Sequence, residues 1–279
     1  MSKALPKTPL RYVIDGVALE SDRDAAGSGV TFCFSERGGG VSRPPFASLN
    51  LGESTGDDPA AVAENRRRLM AALGAEDLLP TLVRPRQVHG VEVARVTGAG
   101  EVPAWVGQGC DAVVCTVPDV AVMLLFADCA PVVLVAPGGF AVAHSGWRGT
   151  RGRIAARAAR ALAEELGCDP ARLSAYIGPH IGAGAYEVSE ELAQDFAGEF
   201  GPEAVPTPRH LDLGACIVRA LLDEGLSPER VVDCGLCTHD LVGRFFSHRA
   251  EHGRTGRHAA VAFMRPDDME RALGRTKEL

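Results

Sequence analysis

Three residues that could do chemistry stand where apolar segments give way to polar ones: His89, Cys129 and His144. A thiolate and two imidazoles form a good zinc site, and three protein ligands with one open position are typical of catalytic zinc. Zinc in such a site lowers the pKa of a bound water to about 7 and so supplies a nucleophile at neutral pH. The residue types predict a catalytic zinc site, provided that the fold brings the three side chains together.

Two other interpretations of these residues stay open on the sequence alone. Their spacings along the chain, 40 and 15 residues, are not those of a zinc finger or knuckle. The three could be core residues with satisfied hydrogen bonds, or Cys129 could be a metal-free nucleophile activated by a histidine. Asp128, which directly precedes Cys129, is predicted either to orient a histidine ring or to cap a turn.

Two glycine-rich segments carry arginines that suit anion binding. The segment GWRG, residues 146–149, precedes a predicted helix N-terminus, where free N–H groups and the helix dipole attract anions. Arg148 adds a planar guanidinium suited to phosphate or carboxylate. Arg37 lies in SERGGG, where the glycines allow the backbone to approach a ligand closely. The alternative is that both arginines are surface residues in turns.

Further cysteines and histidines stand near the C-terminus. Cys234 and Cys237 form CGLC, a CxxC pattern that occurs in each half of a zinc ribbon and in redox-active cysteine pairs. The sequence has no second CxxC and no thioredoxin-like context, so a structural role is favoured. His248 and His252 lie in FFSHRAEHGRTGRH, whose glycines argue against a long helix and predict a loop that lines a pocket.

The composition limits the class of protein. A formal net charge of −7 over 279 residues makes nucleic acid a poor partner for the chain as a whole. No apolar run approaches the ~20 residues of a membrane span, and the N-terminus lacks the apolar segment of a secretory signal. We therefore expect a cytoplasmic protein with no membrane partner, whose eight cysteines stay reduced.

The hydrophobic pattern predicts a mixed α/β fold, a single domain with a central sheet layer and helices outside. Residues 1–28 are predicted as an N-terminal extension with the first strand, and residues 29–279 as one catalytic domain. A long loop rich in glycine and proline follows the strand at 29–34. The other predicted strands are 88–96, 112–117, 120–127, 132–136, 140–143, 174–177, 231–233 and 259–264. Helices are predicted from Asp58 to Gly74, from Thr150 to Gly167, over 189–196 and over 212–225.

Ordered motifs between Phe32 and Phe263 resemble the YfiH-like family, also called the laccase-domain or multicopper polyphenol oxidase family, now associated with purine nucleoside phosphorylase activity. The motifs are FSERGGGVSRPPFASLNLG, GDDPAAVAENR, RQVHG, GCDAVV, FADCAPVVL, AHSGWRGT, YIGPHIGAGAYEV and CTHDLVGRFFSHRAEHGRTGR. The family implies β-sandwich-like central sheets flanked by helices. Its zinc ligands match the His89, Cys129 and His144 of this sequence.

The resemblance also suggests residues that contact substrate. The family's FSxR arginine matches Arg37, which is expected to act near phosphate or substrate as a catalytic residue. Arg148, Asp128 and Gln87 of RQVHG complete the candidate substrate-binding set. The sequence departs from the family pattern at His180, Gly184 and Ala185, where cysteines are common, and at His248, where a tyrosine is common.

The resemblance implies an enzyme that acts on purine nucleosides. It would phosphorolyse adenosine, inosine, guanosine or 5′-methylthioadenosine to the base and ribose 1-phosphate, with adenosine deamination as a second activity. The expected partners are a nucleoside and phosphate, and the expected cofactor is zinc. Copper is expected only as an adventitious occupant, because it outranks zinc in the usual affinity order. We expect a monomer or a homodimer.

Three alternative functions are kept. The first is a zinc or Cys-His hydrolase that edits an amide in a peptidoglycan precursor. The second is a non-enzymatic scaffold braced by a closed metal site. The third, a copper-dependent polyphenol oxidase, is disfavoured because none of the eight histidines forms the His-X-His pair on which trinuclear copper clusters are commonly built.

Overall fold

Two six-stranded sheets lie face to face in the computed structural model, which describes residues 4–101 and 105–272. The first sheet has the strand order β1-β2-β3-β12-β7-β4 and the second β11-β10-β8-β9-β6-β5. The strands are β1 (Leu10–Ile14), β2 (Val17–Ser21), β3 (Val30–Ser35), β4 (Leu82–Val83), β5 (Val93–Val96), β6 (Ala112–Cys115), β7 (Ala121–Phe126), β8 (Ala130–Ala136), β9 (Gly139–Ser145), β10 (Ser174–Ile177), β11 (Val231–Asp233) and β12 (His258–Met264). The predicted α/β class with sandwich-like sheets is confirmed.

Helices cover both outer faces of the sandwich. They are α1 (Pro59–Ala72), α2 (Trp147–Arg151), α3 (Ile154–Leu166), α4 (Glu190–Phe200), α5 (Leu213–Asp223) and α6 (Pro266–Ala272). Helix α1 packs on the first sheet, and α3, α4 and α5 pack on the second. No helix among the described residues has the length and apolarity that a membrane crossing requires.

Side-chain alternation along the strands builds the layers. In β12, Ala260 and Ala262 belong to the core between the sheets, whereas Val261 and Phe263 belong to the core under α1. Because successive side chains of a strand point to opposite faces, a strand buried on both faces reads as a continuous apolar run. The same alternation points His258, at the start of β12, into the layer between the sheets.

The helix predicted from Thr150 to Gly167 is two helices. Helix α2 begins at Trp147 with Gly146 as its N-cap, and α3 begins after Arg153, whose φ of 58° breaks the helical path. Thr150 does not cap a helix, since its hydroxyl lies 2.8 Å from the Ser145 hydroxyl. The predicted cap at Asp58 is confirmed, since its carboxylate accepts the Ala60 N–H at the start of α1.

The strand predicted over residues 88–96 is shorter than expected, because only β5 pairs with a neighbour. Residues 88–90 turn away from the sheet and direct their N–H groups at a buried carboxylate, that of Asp111. His89 has a φ of 57°, in the left-handed region that non-glycine residues seldom adopt. This segment is therefore a loop built around Asp111.

The glycine- and proline-rich loop after β3 is ordered by one buried amide. Asn65 of α1 donates from Nδ2 to the carbonyls of Ser48 and Asn50 and to the Ser42 hydroxyl, and it accepts the Val41 N–H. Buried backbone groups need partners of this kind. The loop thereby gains a fixed path, which ends in the short turn Glu53–Thr55.

The segment before residue 29 contains two strands. β1 and β2 form an antiparallel hairpin, and β2 pairs with β3 in the first sheet. The Tyr176 hydroxyl also donates to Asp22 from the facing sheet, at 2.7 Å. The boundary predicted between residues 28 and 29 stays a prediction.

Candidate active site

The fold brings His89, Cys129 and His144 together. Their ligand atoms all lie within 4.8 Å of one another. Cys129 follows β7 and directly precedes β8, whose Pro131 pairs with His144 of β9, so the β8–β9 hairpin places the thiol beside that imidazole. His89 reaches the same point from the loop before β5, and its ring centroid lies 4.8 Å from that of His144.

One buried carboxylate positions both histidines. Asp111 Oδ1 lies 2.8 Å from His144 Nδ1, and the same carboxylate accepts the backbone N–H groups of Val88, His89 and Gly90. With Nδ1 of His144 directed at Asp111, Nε2 of the neutral ring carries the lone pair that a metal needs. A metal-ligating histidine that donates its other nitrogen to a carboxylate is the usual arrangement. The donor set therefore fits a metal ion.

Asp111 takes the role that the sequence suggested for Asp128. The signal was present in GCDAVV, where an acidic residue directly precedes a fully buried strand. Asp128 instead accepts the Thr238 hydroxyl at 2.7 Å and the Arg249 N–H at 2.6 Å. Its φ of 87° lets it turn the chain before Cys129. Asp128 thus fixes the loop that carries the thiol, and no histidine ring bonds to its carboxylate among the described residues.

The electrostatics of the cluster favour a charged thiol. Burial raises the pKa of Cys129, but the charges and hydrogen bonds of His144 and His89 outweigh it and lower the pKa to about 6. Burial lowers the pKa of His144, whereas Cys129 and Asp111 raise it to about 9. A thiolate is the form that ligates metals. The lowered pKa therefore favours the thiolate of Cys129, which can bind a cation.

A glycine lies against the cluster because no side chain fits there. A Cβ on Gly146 would stand 2.8 Å from Cys129 Sγ and 3.3 Å from a ring carbon of His89. The φ of Gly146 is −77°, which any residue adopts, so the requirement is for space and not for backbone freedom. This contact explains the glycine that follows His144-Ser145 in AHSGWRGT.

The cluster opens into a cavity of about 750 Å³. His89 is exposed, Cys129 is half-buried and His144 is buried, so the triplet forms part of the cavity wall. The wall also contains the turn Glu53–Thr55, several apolar side chains and a group of arginines: Arg66, Arg84, Arg86, Arg249 and Arg257. Among the described residues, no fourth His, Cys, Asp or Glu joins the triplet.

The arginines of the cavity are not those predicted for phosphate. Arg37 lies outside the cavity lining. Its guanidinium donates to the carbonyls of Ala47 and Val242 and to Glu251, and it stacks over the Phe246 ring at 4.4 Å. These bonds join the loop after β3 to the segment before β12.

Of the other two candidate substrate contacts, Gln87 lines the cavity and Arg148 does not. Arg148 is exposed, lies outside the cavity lining and stacks on the Trp147 ring at 4.4 Å. Helix α2 is only five residues long and offers no strong dipole. Gln87 does line the cavity, but its side-chain amide forms two bonds of 2.8 Å with the backbone of Leu125. Gln87 therefore extends the sheet edge beside the site.

Arg257 is the arginine best placed to meet an anion near the triplet. Burial lowers the pKa of its guanidinium, while the charges of Cys129 and Asp128, which line the same cavity, raise it. Among the described residues, its Nη1 donates to two backbone carbonyls, those of Thr255 and Gly256, and to no side chain. Neither the sequence pattern nor the quoted motif singled it out, because nothing in HGRTGR marks which arginine is buried.

Glu53 holds a second pair of cavity arginines. Its carboxylate forms ion pairs with both Arg66 and Arg84. Arg66 is additionally fixed to the carbonyl of Leu51 through two nitrogens. This wall of the cavity is therefore rigid and carries a net positive charge.

The CGLC segment, residues 234–237, bonds to the loop that follows β10. His180 and Cys237 form a β-bridge, and the Gly182 N–H donates to Cys237 Sγ at 3.3 Å. Burial raises the pKa of Cys234 to about 12, which makes it a poor nucleophile. His248 lies in the cavity wall, as predicted for its loop.

Comparison with known proteins shows the family to which the chain belongs. A sequence model of the family described as multi-copper polyphenol oxidoreductase laccase matches residues 31–265. The chain is 41% identical to a purine nucleoside phosphorylase of Deinococcus radiodurans over 83% of this chain and 88% of the relative. It is 34% identical to the purine nucleoside phosphorylase YfiH of Escherichia coli over 85% of this chain and 94% of the relative.

Solved structures show the same fold. YlmD from Geobacillus stearothermophilus superposes with a TM-score of 0.82 and 31% identity, covering 93% of this chain and 100% of that one. The YfiH protein of Bacillus licheniformis gives a TM-score of 0.80 with 28% identity, covering 90% and 97%. The chain therefore belongs to the YfiH family, the family of the multi-copper polyphenol oxidoreductase laccase domain.

Proposed function

We propose that this chain is a zinc-dependent purine nucleoside phosphorylase, acting on adenosine, inosine, guanosine or 5′-methylthioadenosine. The observation that carries the proposal is the His89–Cys129–His144 triplet in the wall of an arginine-lined cavity. A volume of about 750 Å³ lies in the usual range of small-molecule sites. The relatives named purine nucleoside phosphorylase point to the same substrate class.

Zinc is the metal that the donor set fits best. One thiol and two imidazoles match its common ligands, and three protein ligands are typical of catalytic sites. When bound, zinc supplies Lewis acidity toward an oxygen of phosphate or water. His144 Nε2, oriented by the bond from Nδ1 to Asp111, would hold it together with Cys129 and His89. Copper remains an adventitious occupant in this proposal.

Phosphate is assigned to Arg257 rather than to Arg37. Arg257 lines the cavity together with Cys129, whereas the Arg37 guanidinium is bonded to backbone carbonyls and Glu251. A guanidinium binds phosphate through paired hydrogen bonds of good geometry. The Arg66–Glu53–Arg84 cluster would add positive potential. In this arrangement Arg257 orients phosphate toward C1′ of the ribose.

Adenosine deamination is a second activity of the same site in this proposal. Water in place of phosphate would attack the purine ring of adenosine, giving inosine and ammonia. An amide hydrolase is the main rival, since it would use the same triplet. Only the phosphorylase needs phosphate for turnover. A scaffold is disfavoured, because the described residues place no fourth ligand at the triplet and His89 is exposed to the cavity.

The test is turnover by the purified, zinc-loaded protein with adenosine or inosine, with and without phosphate. We expect base and ribose 1-phosphate only when phosphate is present, and loss of both products in Cys129→Ala. Cys168→Ala is the matched control, since Cys168 is half-buried and lies outside the cavity lining. If the protein releases no base, or if Cys129→Ala behaves as wild type, the proposal fails.

A further inference from the structure

Tyr186 faces the candidate active site with an uncommitted hydroxyl. It lines the cavity together with Cys129, His144 and Ile181. Its backbone is fixed at both ends, because its N–H donates to Gly182 and its carbonyl accepts the Leu211 N–H. Among residues 4–101 and 105–272, no hydrogen-bond partner is found for the Tyr186 hydroxyl. A half-buried hydroxyl without a partner is available to a ligand.

The surroundings keep this hydroxyl protonated. Burial and the nearby charge of Cys129 raise the pKa of Tyr186 to about 12, although Arg249 and Arg148 oppose the shift. The hydroxyl is therefore a donor throughout the neutral range. Asp128 also contributes negative charge on this side of the cavity. An acceptor on a ligand is the partner that such a donor needs.

The ring is held in one orientation. The Arg249 guanidinium lies 5.2 Å from the ring centroid, and its Nη1 donates to the carbonyl of Glu187 at 3.0 Å. The Arg249 N–H is bonded to Asp128, so this contact is tied to the loop that carries Cys129. A donor fixed in this way costs little reorganisation when it meets a developing charge.

The cavity has two chemically different sides. The side around Gly52 and Glu53 carries Arg66, Arg84 and Arg257, which suit phosphate. Tyr186 and Ile181 add aromatic and apolar surface beside Arg249, and surface of this kind suits a purine ring. With phosphate on the arginine side, the departing base lies on the Tyr186 side.

On this basis, which rests on the proposed function, we propose that the Tyr186 hydroxyl donates a hydrogen bond to N7 of the departing purine. A phosphate oxygen forms a bond to C1′ while the C1′–N9 bond breaks. The electron pair of the C1′–N9 bond passes to the purine ring. Tyr186 stabilises the negative charge that develops there. The proton of the hydrogen phosphate ends on the base, so the products are neutral purine and ribose 1-phosphate.

The test pairs Tyr186→Phe with a ligand that lacks the acceptor. Binding of inosine and of 7-deazainosine is measured by calorimetry without phosphate, in wild type and in the variant. We expect wild type to prefer inosine by about three- to tenfold, as one hydrogen bond provides, and the variant to bind both equally. We also expect kcat for inosine phosphorolysis to fall roughly 100-fold in the variant.

Tyr12→Phe is the matched control, since Tyr12 lies in β1, is not part of the cavity lining, and contacts Arg23. Tyr186→Phe removes only an unpartnered hydroxyl, so its melting temperature and zinc content should match wild type. If the variant keeps the preference for inosine, or loses affinity for both ligands alike, the hydrogen bond to N7 is excluded while the phosphorylase stands. If wild type neither binds nor phosphorolyses inosine, both proposals are overturned.

Discussion

The Asp111 carboxylate binds His144 Nδ1 at 2.8 Å and His89 through its backbone N–H at 2.9 Å. One buried acidic group thereby sets two of the three candidate metal ligands, although the two histidines are 55 residues apart in the sequence. Its pKa is lowered by the His144 hydrogen bond and by the N–H groups of the loop, against the effect of burial. The ionised carboxylate is the form that accepts all four bonds.

Asp111→Asn should weaken zinc binding by roughly 10- to 100-fold, as loss of the carboxylate behind a ligating histidine commonly does. Asparagine replaces one carboxylate oxygen by an NH2 group, which is a hydrogen-bond donor. That group would face backbone N–H groups that are also donors, so at least one hydrogen bond is lost. Competition with a chromophoric chelator measures the change. Asp169→Asn is the control, since Asp169 is an exposed N-cap where asparagine serves equally. Unchanged zinc affinity in Asp111→Asn would remove the carboxylate from the account of the site.

Gly146→Ala should reduce turnover by about 100-fold, the scale expected when a catalytic group is displaced by around 1 Å. The new methyl group would stand 2.8 Å from Cys129 Sγ, so the thiol must move. Gly184→Ala is matched in chemistry and has no atom within 4 Å of the added Cβ. Both variants should melt near wild type, which separates a displaced ligand from an unfolded chain. Equal activity of the two would show that the thiol tolerates the shift.

The triplet and most strands could be picked out from the sequence, because the signals that mark them lie within short segments of the chain. Strands buried on both faces read as apolar runs, and His144 and Cys129 stand at the ends of such runs. His89 was singled out with them at the start of a predicted strand, although it lies in a loop, and the resemblance supplied the zinc-ligand role of all three residues. That loop was predicted as part of a strand because its apolar and polar residues alternate as they do in strands. Its N–H groups donate to Asp111 instead of to a neighbouring strand.

The arginines show what the sequence could not provide. Arg37 and Arg148 lie in conspicuous glycine-rich segments, yet their guanidinium groups contact Glu251 and the Trp147 ring outside the cavity. Arg257 lies in an unremarkable segment and reaches the cavity because β12 starts there. Which arginine meets a ligand depends on contacts between segments more than 100 residues apart, and no periodicity encodes those contacts.

Arg257→Gln should raise KM for phosphate by roughly 10- to 100-fold, the value of a hydrogen bond to a charged group. KM for the nucleoside should change little, since the base is assigned to the other side of the cavity. Arg148→Gln is the control, because Arg148 is exposed and outside the lining. Initial rates at varied phosphate give both constants. A phosphate KM that rises in Arg148→Gln and not in Arg257→Gln would restore the assignment made from the sequence.

His258 should make the protein sensitive to acid. It is fully buried between Phe126 and Phe245, and neither ring nitrogen has a hydrogen-bond partner among the described residues. Burial, with the charges of Arg257 and Arg37, lowers its pKa from 6.5 to about 3. The native state therefore keeps the ring neutral, while the unfolded chain takes up a proton below pH 6.5.

Because the unfolded state binds the extra proton, stability falls as the pH drops from about 6.5 toward 3. At pH 5 this histidine alone should reduce the free energy of unfolding by about 2 kcal/mol relative to pH 7.5. His258→Phe keeps the aromatic packing and removes the titration, so its unfolding free energy should lose that part of the acid dependence. His239→Gln, at an exposed site, should keep it. Denaturant unfolding at pH 7.5 and pH 5 measures all three proteins, and parallel losses in wild type and His258→Phe would show that His258 is not the group responsible.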